Sequence, residues 1–194
     1  MEYREVFSSF IGREQLTLDL TAMRQKVAIW QSQTTSPMHV IHRLSSIGDP
    51  VLLDEAFLPL FNIITRVCNQ THKDIGLSSE YKQEIVDAYI NFDCHPDLGE
   101  MHNHGGYCFS CVFYLDVPLD SGNLVFVTPV VGHRYNWKSR HIEEINQFTN
   151  FRIELPPSEN TLLIFPSWLD HYVKPNKTRH QRVSLAFDSI LVRR

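Results

Sequence analysis

The spacing of apolar residues divides the chain into two halves of different texture. In residues 14–33 (EQLTLDLTAMRQKVAIWQSQ) and 53–70 (LDEAFLPLFNIITRVCNQ), apolar side chains recur at nearly helical spacing. Asp54 and Glu55 fall in the expected first turn of the second segment, where the helix dipole favours acidic groups. The first half of the chain is therefore predicted to be substantially helical.

From Glu84 onward the pattern changes to short β-rich runs separated by Gly, Pro, Asn and Asp. The connections DVPLDSGNL and ELPPSENTL carry turn residues and are predicted to be hairpin connections. Runs of this number and length predict a mainly β fold with flanking helices (α+β), in which an antiparallel double sheet or jelly roll carries the helices on one side. The runs are EIVDAYINFD, YCFSCVFYLDV, NLVFVTPVV, NTLLIFPS, DHYVKP and RVSLAFDSILV.

The domain organisation is predicted to be simple. We find no internal repeat, low-complexity segment or linker in the sequence, which favours one domain over residues 1–194. Within it, residues 1–84 are predicted to form a helical support region and residues 85–194 a β core. Residues 133–154 are polar, aromatic and irregular, and both a functional loop and a solvated excursion are consistent with that composition.

Composition and charge exclude some classes of partner. A chain of 194 residues with 43% hydrophobic and 21% charged residues is typical of a compact soluble domain. The net charge of -4 gives no strong signal for nucleic acid or anionic lipid. An apolar stretch of roughly 18 to 20 residues and a signal-peptide pattern are both missing from the sequence, so we expect a cytoplasmic protein with no membrane association.

The four cysteines, Cys68, Cys94, Cys108 and Cys111, are too few for a disulfide scaffold in a chain of this length. Cys108 and Cys111 form a C-x-x-C pattern, but YCFSCVFYL has the composition of a strand. A strand places these two side chains on opposite faces, so the sequence favours buried cysteines over redox or metal chemistry.

The stretch GEMHNHGGYCFSCVFYLDVP carries the first chemical signal. His102 and His104 are separated by one residue, and in an extended segment alternate side chains lie on the same face. Their ring nitrogens could therefore bind one ion. His171, at the start of a later short strand, is a candidate third ligand, and three ligands on one face leave other metal positions open for substrate.

A candidate anion site follows the third histidine. Arg182 and Ser184 lie two residues apart in a predicted strand, so their side chains share a face. A guanidinium group and a hydroxyl suit the recognition of one carboxylate. Alternatively, Arg182 could pair with Asp188 or another acid, and Tyr114 could be a core aromatic residue.

Four segments, HNHGGYCFSCVFYLDVP, SGNLVF, LLIFPSWLDHYV and RVSLAF, resemble in this order the Fe(II)- and 2-oxoglutarate-dependent oxygenases, especially a small bacterial and phage branch. The resemblance covers roughly residues 85–194. It implies a double-stranded β-helix that binds Fe(II), 2-oxoglutarate and dioxygen, and a dioxygenase that couples decarboxylation of 2-oxoglutarate to succinate with oxidation of a C–H bond, most simply hydroxylation.

The resemblance also implies roles for individual residues. His102 matches the first ligand of the H-x-D/E motif, and His171 matches the distal histidine ligand. Arg182 matches the arginine that pairs with the far carboxylate of 2-oxoglutarate. Ser184 belongs to an R-x-S pattern of part of the superfamily, and Tyr114 matches a tyrosine that hydrogen-bonds the same carboxylate in enzymes similar to prolyl hydroxylases.

His104 departs from the family pattern, which usually has Asp or Glu at this position. A neutral imidazole leaves the iron centre one unit more positive, which should strengthen 2-oxoglutarate binding and weaken metal binding. Glu100 precedes His102 by two residues and could replace His104 as the third ligand. We favour His104, because it alone occupies the matching position.

Two other functions remain open at this point. One is a three-histidine metal dioxygenase of cupin type that does not use 2-oxoglutarate, for which Arg182 has no role. The other is a non-catalytic jelly-roll binding module. The expected partner is a small-molecule or protein side-chain substrate, and the substrate-binding residues and oligomeric state are not predicted. Basic and aromatic residues of the loop hint at an acidic or planar substrate (His133, Arg134, Tyr135, Trp137, Lys138, Arg140).

Overall fold

The computed structural model describes residues 2, 8–33, 42–45, 54–93, 99–130, 132, 138–146 and 148–194. Within them lie two α-helices and nine β-strands, together with short 3-10 turns at Glu55–Phe57 and Ser139–His141. The helices are α1 (Thr21–Gln33) and α2 (Leu58–Asp74). The strands are β1 (Gly12–Gln15), β2 (His42–Ser45), β3 (Tyr81–Asp93), β4 (Phe109–Asp116), β5 (Leu124–Val127), β6 (Arg152–Leu155), β7 (Thr161–Pro166), β8 (His171–Val173) and β9 (Arg182–Arg193).

The described strands form two antiparallel sheets. The larger sheet has the order β1-β7-β4-β9-β3-β2, and the smaller has the order β6-β5-β8. The longest pairing joins β3 to β9 over their full lengths, with a bulge between Ile85 and Asp87. The predicted mainly β fold with jelly-roll architecture is confirmed, and the helical part is smaller than predicted.

The two faces of the larger sheet have different partners, because side chains alternate along each strand. From β9, Val183, Leu185 and Phe187 pack into the same core as the buried residues of both helices. The opposite face of β9 carries Arg182 and Asp188. On this second face of the sheet, a separate apolar cluster fills the space toward the smaller sheet, formed by Tyr114, Leu124, Phe126, Leu163, Phe165 and Leu169.

Helix α2 buries Leu60, Ile64 and Cys68, which recur every four residues and so form one apolar face. Asp54 starts this region by accepting a hydrogen bond from the backbone N–H of Ala56 at 2.9 Å. The predicted second helix is therefore confirmed, although it runs on to Asp74. Neither described helix is both long and apolar enough to cross a bilayer.

The prediction of a helix from residue 14 is wrong at its beginning. Gly12–Gln15 form β1, an edge strand that pairs with β7, and α1 begins only at Thr21. Residues 152–154, the end of the segment that the sequence assigns to an irregular loop, belong to β6 of the smaller sheet. Strand β1 (GREQ) has no apolar run, and three of the four residues of β6 (RIEL) are exposed, so both strands lack the continuous apolar signal of a buried strand.

The two predicted hairpin connections are also wrong. Residues 117–123 lead from β4 to β5, and residues 156–160 lead from β6 to β7; in each case the two strands belong to different sheets. Gly122 lies in the first connection with φ +89°, and a Cβ there would lie 2.1 Å from the carbonyl oxygen of Lys174. Both the positive φ and the close approach of the Lys174 backbone require a glycine at position 122.

The cysteines behave largely as predicted. Cys111 is buried in β4, whereas Cys108 precedes the strand and is half-buried. The thiol of Cys111 lies 3.6 Å from that of Cys68 on α2, inside the core between helix and sheet. Cys94 lies outside the described residues.

Candidate metal and 2-oxoglutarate site

The His-x-His segment lies before β4 and is held against the β7–β8 connection. His102 and His171 form an isolated antiparallel bridge, with N–H to carbonyl distances of 3.0 and 2.9 Å. The backbone N–H of His104 donates to the carbonyl of Ser167 at 2.8 Å. The expected extended geometry therefore exists at His102, although the pairing extends over one bridge and not over a full strand.

These backbone contacts bring the three histidine rings together. The ring centroids are 4.5 Å apart for His102 and His171, 5.2 Å for His104 and His171, and 5.3 Å for His102 and His104. One ring nitrogen from each residue lies within 4.8 Å of the other two. This is a geometry in which three imidazoles can hold one transition-metal ion.

Each of the three rings is fixed through its Nδ1 atom. Nδ1 of His102 lies 2.8 Å from the carbonyl oxygen of Glu100, and Nδ1 of His171 lies 2.8 Å from that of Leu169. Nδ1 of His104 lies 2.8 and 2.9 Å from the two carboxylate oxygens of Asp188. Because these oxygens can only accept, each Nδ1 donates and each Nε2 keeps its lone pair for a metal.

Burial also prepares the distal histidine for metal binding. His171 is 5% exposed and packs against Phe165, with ring centroids 5.0 Å apart. Burial lowers the pKa of His171 to about 4, and the neighbouring imidazoles of His102 and His104 act in the same direction. The ring is therefore neutral at pH 7, which is the protonation state that a metal ligand needs.

The predicted carboxylate-binding residues form a second group on the same face of the larger sheet. Ser184 of β9 is the direct cross-strand partner of Tyr114 of β4, and Arg182 precedes Ser184 by two residues on the same face of β9. All three side chains are buried. Burial raises the pKa of Tyr114 to about 12, while the positive charge of Arg182 opposes the shift. The phenol therefore stays protonated and can donate a hydrogen bond.

Arg182 already has protein partners. Its Nη2 donates to Asp93 Oδ2 at 2.5 Å and its Nη1 to the carbonyl of Gly122 at 2.8 Å. Its Nε is buried and has no hydrogen-bond partner among the described residues. The alternative that Arg182 pairs with an acid is confirmed for Asp93 and wrong for Asp188, because the Asp188 carboxylate contacts His104. The free Nε–H is a donor that a bound carboxylate would satisfy.

Two further residues of the site were not predicted. Asp188, 2% exposed, accepts from His104, and the hydroxyl of Tyr89 lies 3.4 Å from both ring nitrogens of the same histidine. Tyr89 lies on β3 and Asp188 on β9, and alternation along these strands could have placed them on the site face. Tyr89 and Asp188 are 15 and 84 residues from His104 in the sequence, so no local pattern indicates that they contact it.

Other candidates lie at the periphery. The side chain of Glu100 is exposed, and its backbone carbonyl is the group that contacts His102. Among the remaining histidines, His141 and His180 are exposed, as expected for surface residues. Lys138 and Arg140 of the loop are exposed as well. His95, His133, Arg134, Tyr135 and Trp137 lie outside the described residues.

The family follows from a comparison with known proteins. A family model described as "Putative 2OG-Fe(II) oxygenase" matches residues 90–188, about half of the chain. The chain belongs to this family. The match covers the end of β3, all of β4 to β8 and the first part of β9, and with them all three histidines, Tyr114, Arg182 and Ser184. No curated protein sequence matches the chain.

Solved structures share the fold at low sequence identity. A prolyl-4-hydroxylase from Pseudomonas putida has a TM-score of 0.56 and 16% identity, with 95% of this chain and 84% of that chain covered. EvdO2 from Micromonospora carbonacea var. aurantiaca, complexed with 2-oxoglutarate, has a TM-score of 0.57 and 13% identity, with coverages of 95% and 88%.

A third similar structure is an oxidoreductase of the 2OG-Fe(II) oxygenase family from Burkholderia pseudomallei, with a TM-score of 0.52 and 15% identity. The match covers 79% of this chain and 63% of that chain, so this chain spans less than two thirds of its length. Membership of this family confirms the predicted enzyme class, a 2-oxoglutarate-dependent oxygenase, and with it the family's cofactors Fe(II), 2-oxoglutarate and dioxygen.

Proposed function

We propose that the protein is an Fe(II)- and 2-oxoglutarate-dependent dioxygenase that hydroxylates a small molecule or a protein side chain, with His102, His104 and His171 as the metal ligands. The observation that carries this proposal is the convergence of three imidazoles whose Nδ1 atoms are all occupied by acceptors. Imidazole nitrogens suit Fe(II), and three ligands leave room for a bidentate co-substrate and dioxygen.

One face of β9 joins the three-histidine group to the carboxylate-binding group, and this arrangement supports the binding of a linear dianion. Arg182, Ser184, Ala186 and Asp188 alternate onto this face. The two side chains between the ends, Ser184 and Ala186, are small. The far carboxylate of 2-oxoglutarate would bind Arg182 through its unpaired Nε–H, with Ser184 and Tyr114 as hydroxyl partners.

Fe(II), when bound, would supply the activation of dioxygen that is coupled to decarboxylation of 2-oxoglutarate. The protein's own residues hold and orient the reactants. His171 is buried against the ring of Phe165, whereas His102 is exposed. We therefore place substrate entry on the His102 side of the site.

Hydroxylation is the simplest outcome for this class. A prolyl-4-hydroxylase is among the similar structures, and we extend that reaction type to this chain as a proposal. The substrate itself is unidentified. Lys138 and Arg140 are exposed cations in the loop that is predicted to contact an acidic or planar substrate. Acidic and planar compounds therefore belong among the substrates to be tested.

One observation favours a second candidate function. Because Arg182 already pairs with Asp93, it has a structural role that requires no 2-oxoglutarate. A three-histidine metal dioxygenase of cupin type would be consistent with this pairing. The unpaired Nε–H of Arg182 and its proximity to Tyr114 and Ser184 favour the 2-oxoglutarate enzyme.

The test is binding followed by turnover. Under anaerobic conditions, Fe(II) and 2-oxoglutarate together should produce the visible charge-transfer absorption of the chelate, and neither should do so alone. In air, the same mixture should release succinate, faster when a screened amino acid, peptide or nucleobase is a substrate. Metal binding without the absorption band and without succinate would favour the cupin-type enzyme, and absence of both metal binding and turnover would favour a binding module.

A further inference from the structure

The three candidate ligands differ in the group that holds their Nδ1 atom. His102 and His171 donate to neutral backbone carbonyls, whereas His104 donates to the carboxylate of Asp188, with both oxygens within 2.9 Å. His104 is also the ligand that replaces the carboxylate of a two-histidine, one-carboxylate iron site. The negative charge missing from the ligand position is thus present one hydrogen bond further out.

Resting on the proposed function, we propose that Asp188 is a positioning residue of the metal site, which acts through His104 and supplies the negative charge that the three-histidine ligand set lacks. A carboxylate that accepts from the far nitrogen of a metal-bound imidazole fixes the tautomer of the ring and makes its other nitrogen a stronger ligand. It also lowers the net positive charge of the centre by one unit.

Asp188 is held rigidly for this role. Its side chain is 2% exposed, and the hydroxyl of Ser110, its direct cross-strand partner, donates to Oδ1 at 2.5 Å. The Ser110 hydroxyl lies 2.9 Å from that of Ser167, whose backbone carbonyl accepts from the N–H of His104. The carboxylate and the backbone of His104 are therefore fixed by the same short network.

A nearby acid provides a matched control. Asp87 of β3 is the cross-strand partner of Asp188 on its other side and is 3% exposed. It accepts from the hydroxyl of Tyr107 at 3.1 Å and is not part of the convergent histidine group. An acid-to-amide change at either position removes one buried charge from the same sheet. Only at Asp188 does that charge belong to the hydrogen-bond partner of a candidate metal ligand, His104.

The experiment compares Asp188→Asn and Asp87→Asn with the parent protein. Asparagine at position 188 can still accept from His104, so the ring orientation is kept while the charge is lost. We expect Mn(II) affinity to fall about 10- to 100-fold in Asp188→Asn. The 2-oxoglutarate affinity of the Mn(II)-saturated protein should rise, because the dianion then meets a more positive centre. Asp87→Asn should leave both affinities within about twofold of the parent values.

The expected changes in Mn(II) affinity and 2-oxoglutarate affinity have opposite signs, which distinguishes the proposed role of Asp188 from a purely structural one. A structural defect would weaken Mn(II) and 2-oxoglutarate together, and that result, or unchanged Mn(II) affinity, would overturn the inference. A parent protein that binds no Mn(II), or binds it without binding 2-oxoglutarate, would instead contradict the proposed function itself.

A measurement on the parent protein covers the case in which Asp188→Asn does not fold. Long-range ¹H–¹⁵N spectra of the Zn(II)-loaded protein should show Nδ1–H tautomers for His102, His104 and His171, with one strongly deshielded proton that belongs to His104. Coordination of the metal through Nδ1 of His104 would overturn the proposal, because that atom could not then donate to Asp188.

Discussion

Arg182 and Asp93 face each other at the start of the β3–β9 pairing, where Arg182 Nη2 donates to Asp93 Oδ2 at 2.5 Å. The arginine side chain is 4% exposed and the aspartate side chain 22%. The guanidinium that is proposed to bind the far carboxylate of 2-oxoglutarate is therefore already neutralised by a protein carboxylate. Bound co-substrate would place a second anion beside Asp93.

The first prediction concerns Asp93→Asn. Removal of one negative charge beside the proposed carboxylate site should raise 2-oxoglutarate affinity by about 1 kcal/mol, roughly fivefold. It should also lower the free energy of unfolding by about 2 kcal/mol, because the buried Arg182 loses its counter-ion. Calorimetric titration and thermal unfolding measure the two effects. Glu154→Gln, which affects an exposed pair with Lys174, is the control. A loss of 2-oxoglutarate affinity in Asp93→Asn would show that Asp93 orients Arg182 for the ligand.

The second prediction concerns Arg182 itself. Arg182→Ala should weaken 2-oxoglutarate binding by about 2 kcal/mol or more, roughly thirtyfold, while Fe(II) stays bound. Arg182→Lys should recover only part of the affinity, because an ammonium group cannot reproduce the planar fork. Titration of the metal-loaded variants measures both. If Arg182→Ala bound 2-oxoglutarate as tightly as the parent, the cupin-type alternative would replace the proposed function.

Much of the fold could be predicted because the buried strands carry the information in their own composition. The interior strands β4, β7 and β9 are almost wholly buried and appear in the sequence as apolar runs. The edge strand β1 (GREQ) and the exposed β6 (RIEL) have no such pattern, and their pairing with β7 and β5 stabilises them. Turn residues likewise mark the ends of β4 and β6 without showing that the chain then changes sheets.

The candidate site could be predicted only in part, for a related reason. His102 and His104 are close in the sequence, strand alternation pairs Arg182 with Ser184, and the resemblance to a known family gave roles to His171, Arg182, Ser184 and Tyr114. The partners of these side chains had no local signal. Asp188 is 84 residues from His104, and Asp93 is 89 residues from Arg182, so the β3–β9 and β4–β9 registers bring them together.

The third prediction concerns the hydroxyl of Tyr114. Tyr114→Phe should weaken 2-oxoglutarate binding by about 1 kcal/mol and change stability little, because the ring remains packed in the apolar cluster. The loss should be constant from about pH 6 to about pH 9, since a pKa of about 12 keeps the phenol protonated throughout. Titrations at several pH values provide the check. A loss that vanishes toward alkaline pH would mean that the phenol ionises there and is not shielded as the structure indicates.

The fourth prediction concerns the two ligands joined by a backbone bridge. His102→Ala and His171→Ala should each abolish tight Fe(II) binding, because two remaining imidazoles rarely retain a labile divalent ion. Metal analysis after gel filtration measures the retained iron. His180→Ala, which removes an exposed histidine near β9, is the control and should retain iron. Undiminished iron in either ligand variant would remove that residue from the metal site.

The fifth prediction decides between His104 and Glu100 as the third ligand. His104 is within the convergent group of ring nitrogens, whereas Glu100 has an exposed side chain and contacts His102 through its backbone carbonyl, which a substitution preserves. His104→Ala should therefore lose Fe(II), and Glu100→Ala should retain it with unchanged affinity. Mn(II) titration of both variants, with thermal unfolding to establish that each is folded, provides the measurement. The reverse result would assign the third ligand to Glu100 and return the site to two histidines and one carboxylate, in which Asp188 would have no charge to supply.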